Sequence, residues 1–175
     1  NPFGGEKSAT RSSELQATIL GGGRATQDRR VRLVLANPSH PIASRIQDRI
    51  NSAFPAGRRV ADATSPSYVQ LRIPEEFHEE PGHFLSLVRA LYMTTDPTFA
   101  GARALELGRE LTEPAAPQAL IALAMEGLGR EALPVLAELY AHDRVEARFH
   151  AAVAGMRIGD HLAVDTLTAV AVEEQ

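Results

Sequence analysis

The sequence predicts an α+β domain followed by an all-α domain. Two observations carry this expectation. Between Leu15 and Met93 the apolar residues switch between alternating and helical spacing, giving strand, glycine turn, strand, helix, strand, helix. From Thr94 to Val172 only helical spacing appears, in segments rich in Ala and Leu with short breaks. The expected layout is a linker over residues 1–14, an α+β domain over 15–95 and a helical domain over 96–175.

Residues Asn1 to Ser13 are polar and rich in Gly, Ser and Thr, the composition of a linker. Leu15–Leu20 alternates as a short strand, Gly21-Gly-Gly23 breaks it, and Gln27–Arg30 is a charged loop. Val31–Ala36 alternates again, with Val31, Leu33 and Leu35 on the face expected to be buried. Asn37-Pro-Ser-His-Pro ends that strand and opens a helix, with Ser39 as N-cap and Pro41 in the first turn. Ile42, Ile46, Ile50 and Ala53 share the inner face of this helix, and Arg45, Gln47, Asp48 and Arg49 the wet one. Pro55-Ala-Gly57 terminates it.

A short strand is expected over Val60–Ala63, a turn at Ser65-Pro66, and a strand over Tyr68–Ile73 with Val69, Leu71 and Ile73 on one face. Pro74–Glu80 is acidic and irregular. Pro81–Tyr92 reads as a helix with Phe84, Leu87, Val88 and Leu91 inward. After Thr94-Thr-Asp-Pro97 come helices near Thr98–Leu111, Pro117–Gly127, Ala132–Tyr140, Val145–Met156 and His161–Val172, and their short breaks predict antiparallel neighbours. Ala122-Leu-Ala-Met-Glu-Gly-Leu-Gly129 aligns with Ala152-Val-Ala-Gly-Met-Arg-Ile-Gly159 at an offset of about thirty residues. In each copy a small-residue helix ends at a Gly and is followed by a second helix. This pattern resembles short HEAT-type repeats, in which Ala permits close crossing and stacked helix pairs share a core.

Composition narrows the function classes. The chain has 175 residues, 44% apolar and 5% aromatic with no Trp, so its core rests on Leu, Val, Ile and Ala. A net charge of −4 argues against nucleic acid as the main partner, because phosphate binding needs a cationic surface. The absence of Cys excludes disulfides, thiolate zinc sites and cysteine nucleophiles. No apolar run approaches the roughly twenty residues that span a bilayer as a helix. The chain opens at Asn1 with neither an initiating Met nor a signal peptide, which predicts an excised domain or processed product.

Candidate chemistry is sparse. Gly21-Gly-Gly-Arg24 has the glycines of a phosphate cradle, but it leads to a charged loop and a strand, not to a helix N-terminus. It reads as a turn. His78 and His83 lie five apart, on different helix faces, with Glu75, Glu76, Glu79 and Glu80 close in sequence. Zinc needs three or four convergent ligands, so an acidic solvated loop is the better expectation. There is no Gly-x-Ser-x-Gly elbow. Arg45 and Arg49, with Arg29-Arg30 and Arg58-Arg59, could form a basic patch, or simply the solvent face of an amphipathic helix. The expectation is therefore no catalytic residue, no cofactor-binding residue and no metal ligand.

Leu33-Val-Leu-Ala-Asn-Pro38, then Ile42-Ala-Ser-Arg-Ile-Gln-Asp-Arg-Ile-Asn-Ser-Ala-Phe54, then Val69-Gln-Leu-Arg-Ile-Pro74 and Phe84-Leu-Ser-Leu-Val88 follow one another in order. In that order and spacing the segment 15–93 resembles the flagellar P-ring protein of the bacterial basal body. The resemblance implies a non-catalytic, homo-oligomeric ring component in the periplasm, in contact with the flagellar rod and peptidoglycan. The helical half lies outside the usual family pattern and reads as an added HEAT-like module. The alternative function is a HEAT-like protein–protein interaction scaffold unrelated to the flagellum, recognising its partner through a concave surface.

Overall fold

The computed structural model describes residues 31–55 and 59–173. The expected linker, the Leu15–Leu20 strand, the Gly21–Gly23 turn, the Gln27–Arg30 loop and the Gly57 stop lie outside the described residues.

Strand β1 (Val31–Val34), helix α1 (His40–Ala53), strands β2 (Ala61–Ser65) and β3 (Tyr68–Leu71), and helix α2 (Pro81–Ala90) form the first layer. The three described strands make an antiparallel sheet in the order β1-β3-β2. The two-residue turn Pro66-Ser67 joins β2 to β3, and Val31 faces Leu71 while Val34 faces Tyr68. β1 and β3 are shorter than their alternation predicts, with Leu35 and Ile73 flanking them as partly buried residues, whereas β2 starts one residue later than expected and runs on to Ser65. The register puts Leu33, Val69, Leu71 and Ala61 on the face covered by α1 and α2. On the other face Arg32 lies over the Tyr68 ring at 4.5 Å, a cation–π contact.

Ser39 caps α1 by accepting the Ile42 N–H, and Pro41 occupies the first turn, as the sequence predicts. The inner stripe differs from the expected one at a single position. Ala43 is fully buried and Ile42 is exposed, so the stripe runs Ala43, Ile46, Ile50 and Ala53.

The expected wet face of α1 also needs correction. Gln47 and Arg49 are only half-exposed. Gln47 Oε1 accepts the Ala63 N–H at 2.9 Å. One turn further, Asn51 Oδ1 accepts the Val60 and Ala61 N–H groups at 2.9 and 3.0 Å, and its Nδ2 donates to the Ala61 carbonyl at 3.0 Å. β2 lies at the edge of the sheet, where unpaired backbone groups would otherwise face solvent. Two amide side chains spaced i, i+4 on one helix face close that edge.

Phe54, just past α1, meets Phe77 and Phe84 with ring centroids 5.9 and 5.1 Å away, and Phe77 and Phe84 are 5.5 Å apart. The acidic segment after β3 is not wholly irregular: Glu75–Phe77 forms a single 3-10 turn that aims Phe77 into this cluster. Phe84, Leu87 and Val88 of α2 complete the first core.

The second layer comprises α3 (Pro97–Thr112), α4 (Gln118–Leu128), a 3-10 turn (Gly129–Ala132), α5 (Leu133–Leu139), α6 (Val145–Ile158) and α7 (Leu162–Glu173). Each lies within a few residues of its predicted span. Asp96 caps α3 by accepting the Thr98 N–H at 2.9 Å. Leu107, Leu111, Met125 and Leu136 fill the core, and α6 presents Ala151 and Ala154 to it. Both glycines that end the repeated segment have positive φ, 77° at Gly129 and 100° at Gly159. Gly159 stops α6 in the left-handed region, and the Asp160 N–H returns to the Gly155 carbonyl at 2.8 Å. α4 and α6, which carry the two copies of the repeat, pack against each other, α3 against α5, and α7 against α6.

Candidate functional site

No described group of three His, Asp or Glu residues is placed to hold a metal ion. His78, Glu75, Glu76 and Glu79 stay on the surface. Glu80 and His83 turn away from that loop toward the helical half, so the structure separates the residues that the sequence groups. Gly21–Arg24, Arg29, Arg30 and Arg58 lie outside the described residues. The described part of the candidate basic patch does not act as one surface, because Arg49 is directed inward: its Nε donates to the Tyr92 carbonyl at 2.6 Å, and burial lowers its pKa.

What the fold does assemble is a seam between the two layers, built where α2 meets α4. Gly127 on α4 approaches α2 so closely that a Cβ there would stand 3.2 Å from the Ala90 carbonyl oxygen. That proximity brings His83 Nε2 to 2.8 Å from Glu126 Oε1. The Glu126 side chain is only 9% exposed. A carboxylate so far removed from water needs a donor, and His83 provides one.

Further along the seam Arg157 of α6 donates to Glu80 at 2.9 Å, just before α2. This guanidinium, by hydrogen bond and by charge, holds the Glu80 carboxyl below the ordinary carboxylate range. Tyr92 closes the other end. Its carbonyl takes Arg49, its hydroxyl accepts from Arg103 Nε at 3.1 Å, and its ring packs on Phe99 at 5.5 Å. Leu123 of α4 reaches into the first core and Tyr92 into the second.

Above the seam α2, α4 and α6 leave a groove of about 380 Å³. Leu123, Val153 and Ala154 line it, along with Phe149 and a largely exposed Leu120. Its polar members are His83, Ser86, Glu126, His150 and Arg157. Burial lowers the His150 pKa, so the ring is a neutral, mostly apolar part of the wall near pH 7. The groove offers shape, apolar surface and a few polar handles. An apolar lining with a few polar groups is the usual make-up of a pocket that receives a ligand or partner.

The sequence did not single out Glu126, Asn51 or Tyr92. His83 and Glu126 are 43 residues apart and on different helices, a separation at which no periodicity links them.

Residues 14–100 match the model of the flagellar P-ring protein family. The matched segment contains the whole described sheet, α1, α2 and Tyr92, and stops in the first turn of α3. No curated protein and no solved structure matches the chain at a significant level. No helix among the described residues is long and apolar enough to cross a membrane. Through residues 14–100 the chain belongs to the flagellar P-ring protein family, a structural family of the periplasmic flagellar basal body.

Proposed function

We propose that this chain is a non-catalytic wall element of the flagellar P-ring, which assembles with further copies of itself around the rod and against peptidoglycan. The observation that carries this function is the family match over residues 14–100, the segment that supplies the sheet and both of its covering helices. The described surface agrees with a structural role. Its ionisable side chains at the seam serve one another, His83 with Glu126 and Glu80 with Arg157.

The helical half, residues 96–175, acts in this proposal as a HEAT-like attachment module. Leu105, Leu120, Phe149, Met156 and Leu162 stand exposed on its helices. In this proposal some of them supply the contact with a partner.

The test is isolation of basal bodies from cells whose chromosomal copy of the protein carries an epitope tag. Co-purification with the rod, and loss of the P-ring on deletion of residues 14–100, is the expected result. A tagged protein that stays in a small soluble fraction while basal bodies retain a complete P-ring would overturn it. Binding of the purified chain to isolated peptidoglycan sacculi, scored by co-sedimentation, tests the second contact.

A further inference from the structure

The sheet has β1 at one end and β2 at the other, and the two edges are finished differently. At β2 the outward N–H groups of Ala61 and Ala63 go to Asn51 and Gln47. At β1 the Leu35 N–H donates inward to the Ser67 carbonyl, and Val31 and Leu33 share that side because backbone groups alternate along a strand. The N–H and C=O groups of Arg32 and Val34 therefore point to the outer edge. Among the described residues none of these four groups has a partner.

Beneath this edge the inner face of the sheet is incompletely covered. Leu33, Ile46, Ile50, Val88 and Leu91 line an apolar groove of about 280 Å³ between β1, α1 and α2. Its polar lining residues are Arg49 and Arg89. Neither pairs with a carboxylate among the described residues. A strand added beside β1 lays its inner side chains over this groove, since residues facing each other on neighbouring strands point to the same face. The occupant must therefore be apolar at every second position, and must bring no cation toward the two arginines.

The sequence just before β1 meets these conditions. Leu15, Ala17 and Ile19 fall on one side of an alternating stretch, and Gln16, Thr18 and Leu20 on the other. Residues 14–23 hold one carboxylate, Glu14, and no Lys or Arg. Residues 21–30 connect the stretch to β1, with Gly21-Gly-Gly23 able to turn sharply. A connection of that length reaches at most about 33 Å, ample for a neighbour about 4.8 Å away. It is shorter than the dozen or so residues of a parallel crossover, so the partner runs antiparallel. The family match begins at residue 14, which joins this stretch to the sheet in one unit.

We propose that residues 15–20 of this chain pair antiparallel with the outer edge of β1 and seat Leu15, Ala17 and Ile19 in the groove over Leu33. β1 becomes an inner strand of a four-stranded sheet. The free edge moves to a strand that carries Gln16 and Thr18 on its outer face, and β1 is no longer open to pairing with another chain.

The experiment is amide hydrogen exchange, read by nuclear magnetic resonance on the purified 175-residue chain. Two variants accompany the wild type: Ile19→Asp on the inner side and Thr18→Asp on the outer. In the wild type the Arg32 and Val34 amides should exchange slowly, and a nuclear Overhauser contact should link the Leu33 α-proton to that of Ala17 or Ile19. Ile19→Asp should speed exchange at Arg32 and Val34 by about ten-fold or more, and Thr18→Asp by no more than about three-fold. The Leu33 and Val69 amides, bonded within the described sheet, report whether each variant keeps its fold. Should Ile19→Asp fail to fold, the wild-type exchange and the α-proton contact decide the matter. Free exchange at Arg32 and Val34 in the wild type overturns the proposal, as does an equal loss in both variants. Protection that falls on dilution also overturns it, because the edge is then filled by a second copy. Each of these leaves the P-ring function standing, since that rests on the family match.

Discussion

His83 and Glu126 face each other at 2.8 Å across the seam between the sheet layer and the helical layer. One belongs to the segment matched to the flagellar P-ring family and the other lies beyond it. The contact therefore ties the part of the chain that matches the family to the helices beyond it. It is supported by the close approach of Gly127 to Ala90, one residue away.

A double-mutant cycle on this pair should show a coupling of about 1–2 kcal/mol, the range for hydrogen bonds to charged groups that are largely shielded from water. Glu126→Ala and His83→Ala should each destabilise the fold in urea unfolding, and the double variant should cost less than their sum. Glu126→Gln keeps an oxygen acceptor and should lose less than Glu126→Ala. Additive single effects would show that the two layers are not joined by this contact.

The Glu80–Arg157 pair should make the seam sensitive to acid. The Glu80 carboxyl titrates below its ordinary value of 4.5 because Arg157 hydrogen-bonds to it and attracts its charge. A carboxylate with a depressed folded-state pKa contributes stability above its unfolded pKa, and that contribution disappears as pH falls through the folded value. Thermal unfolding of the wild type and of Glu80→Gln should therefore differ near pH 7 and converge below pH 4.5. The difference should also shrink in high salt, since Glu80 is exposed. Equal melting temperatures at pH 7 would show that the pair adds nothing.

Asn51 should matter more than its place on a helix suggests. Its side chain satisfies the Val60 and Ala61 N–H groups and the Ala61 carbonyl at the edge of β2. Asn51→Ala leaves these partly buried groups without partners and should cost about 2–3 kcal/mol by urea unfolding. Asn51→Asp keeps both acceptor contacts but loses the donor to the Ala61 carbonyl, so it should fall between wild type and Asn51→Ala. Hydrogen exchange at Val60 and Ala61 should accelerate in Asn51→Ala more than in Asn51→Asp.

Gly155→Ala should be destabilising by about 1–3 kcal/mol, the usual cost of overpacking a filled site. A Cβ at residue 155 would run into the Tyr140 hydroxyl. That ring cannot simply move aside, because its hydroxyl donates to Asp160 Oδ2 at 2.8 Å. Burial and this bond together raise the Tyr140 pKa, so the hydroxyl stays protonated and able to donate at neutral pH. Tyr140→Phe removes the clashing oxygen, and the double variant Gly155→Ala/Tyr140→Phe should be more stable than the sum of the single losses predicts. Strict additivity would mean that the contact is not made.

The sequence by itself determined the order and type of the helices and strands of the described chain, the change from mixed to all-helical at Thr94–Pro97, and the family to which residues 14–100 belong. These are local properties. An alternating or helical apolar pattern, a Ser39 or Asp96 cap and a glycine stop at 159 act within a few residues, and the chain writes them contiguously. The tertiary structure decided which half-polar residues leave the solvent. Gln47 and Arg49 look like the wet face of α1 in sequence, yet Gln47 joins Asn51 in closing a sheet edge and Arg49 reaches Tyr92. It also decided that Glu80 and His83 serve the seam and not a surface cluster, through partners 77 and 43 residues away. Polar side chains satisfy whichever buried donor or acceptor packing brings near, and which one that is depends on how two layers meet, a relation that no local pattern encodes.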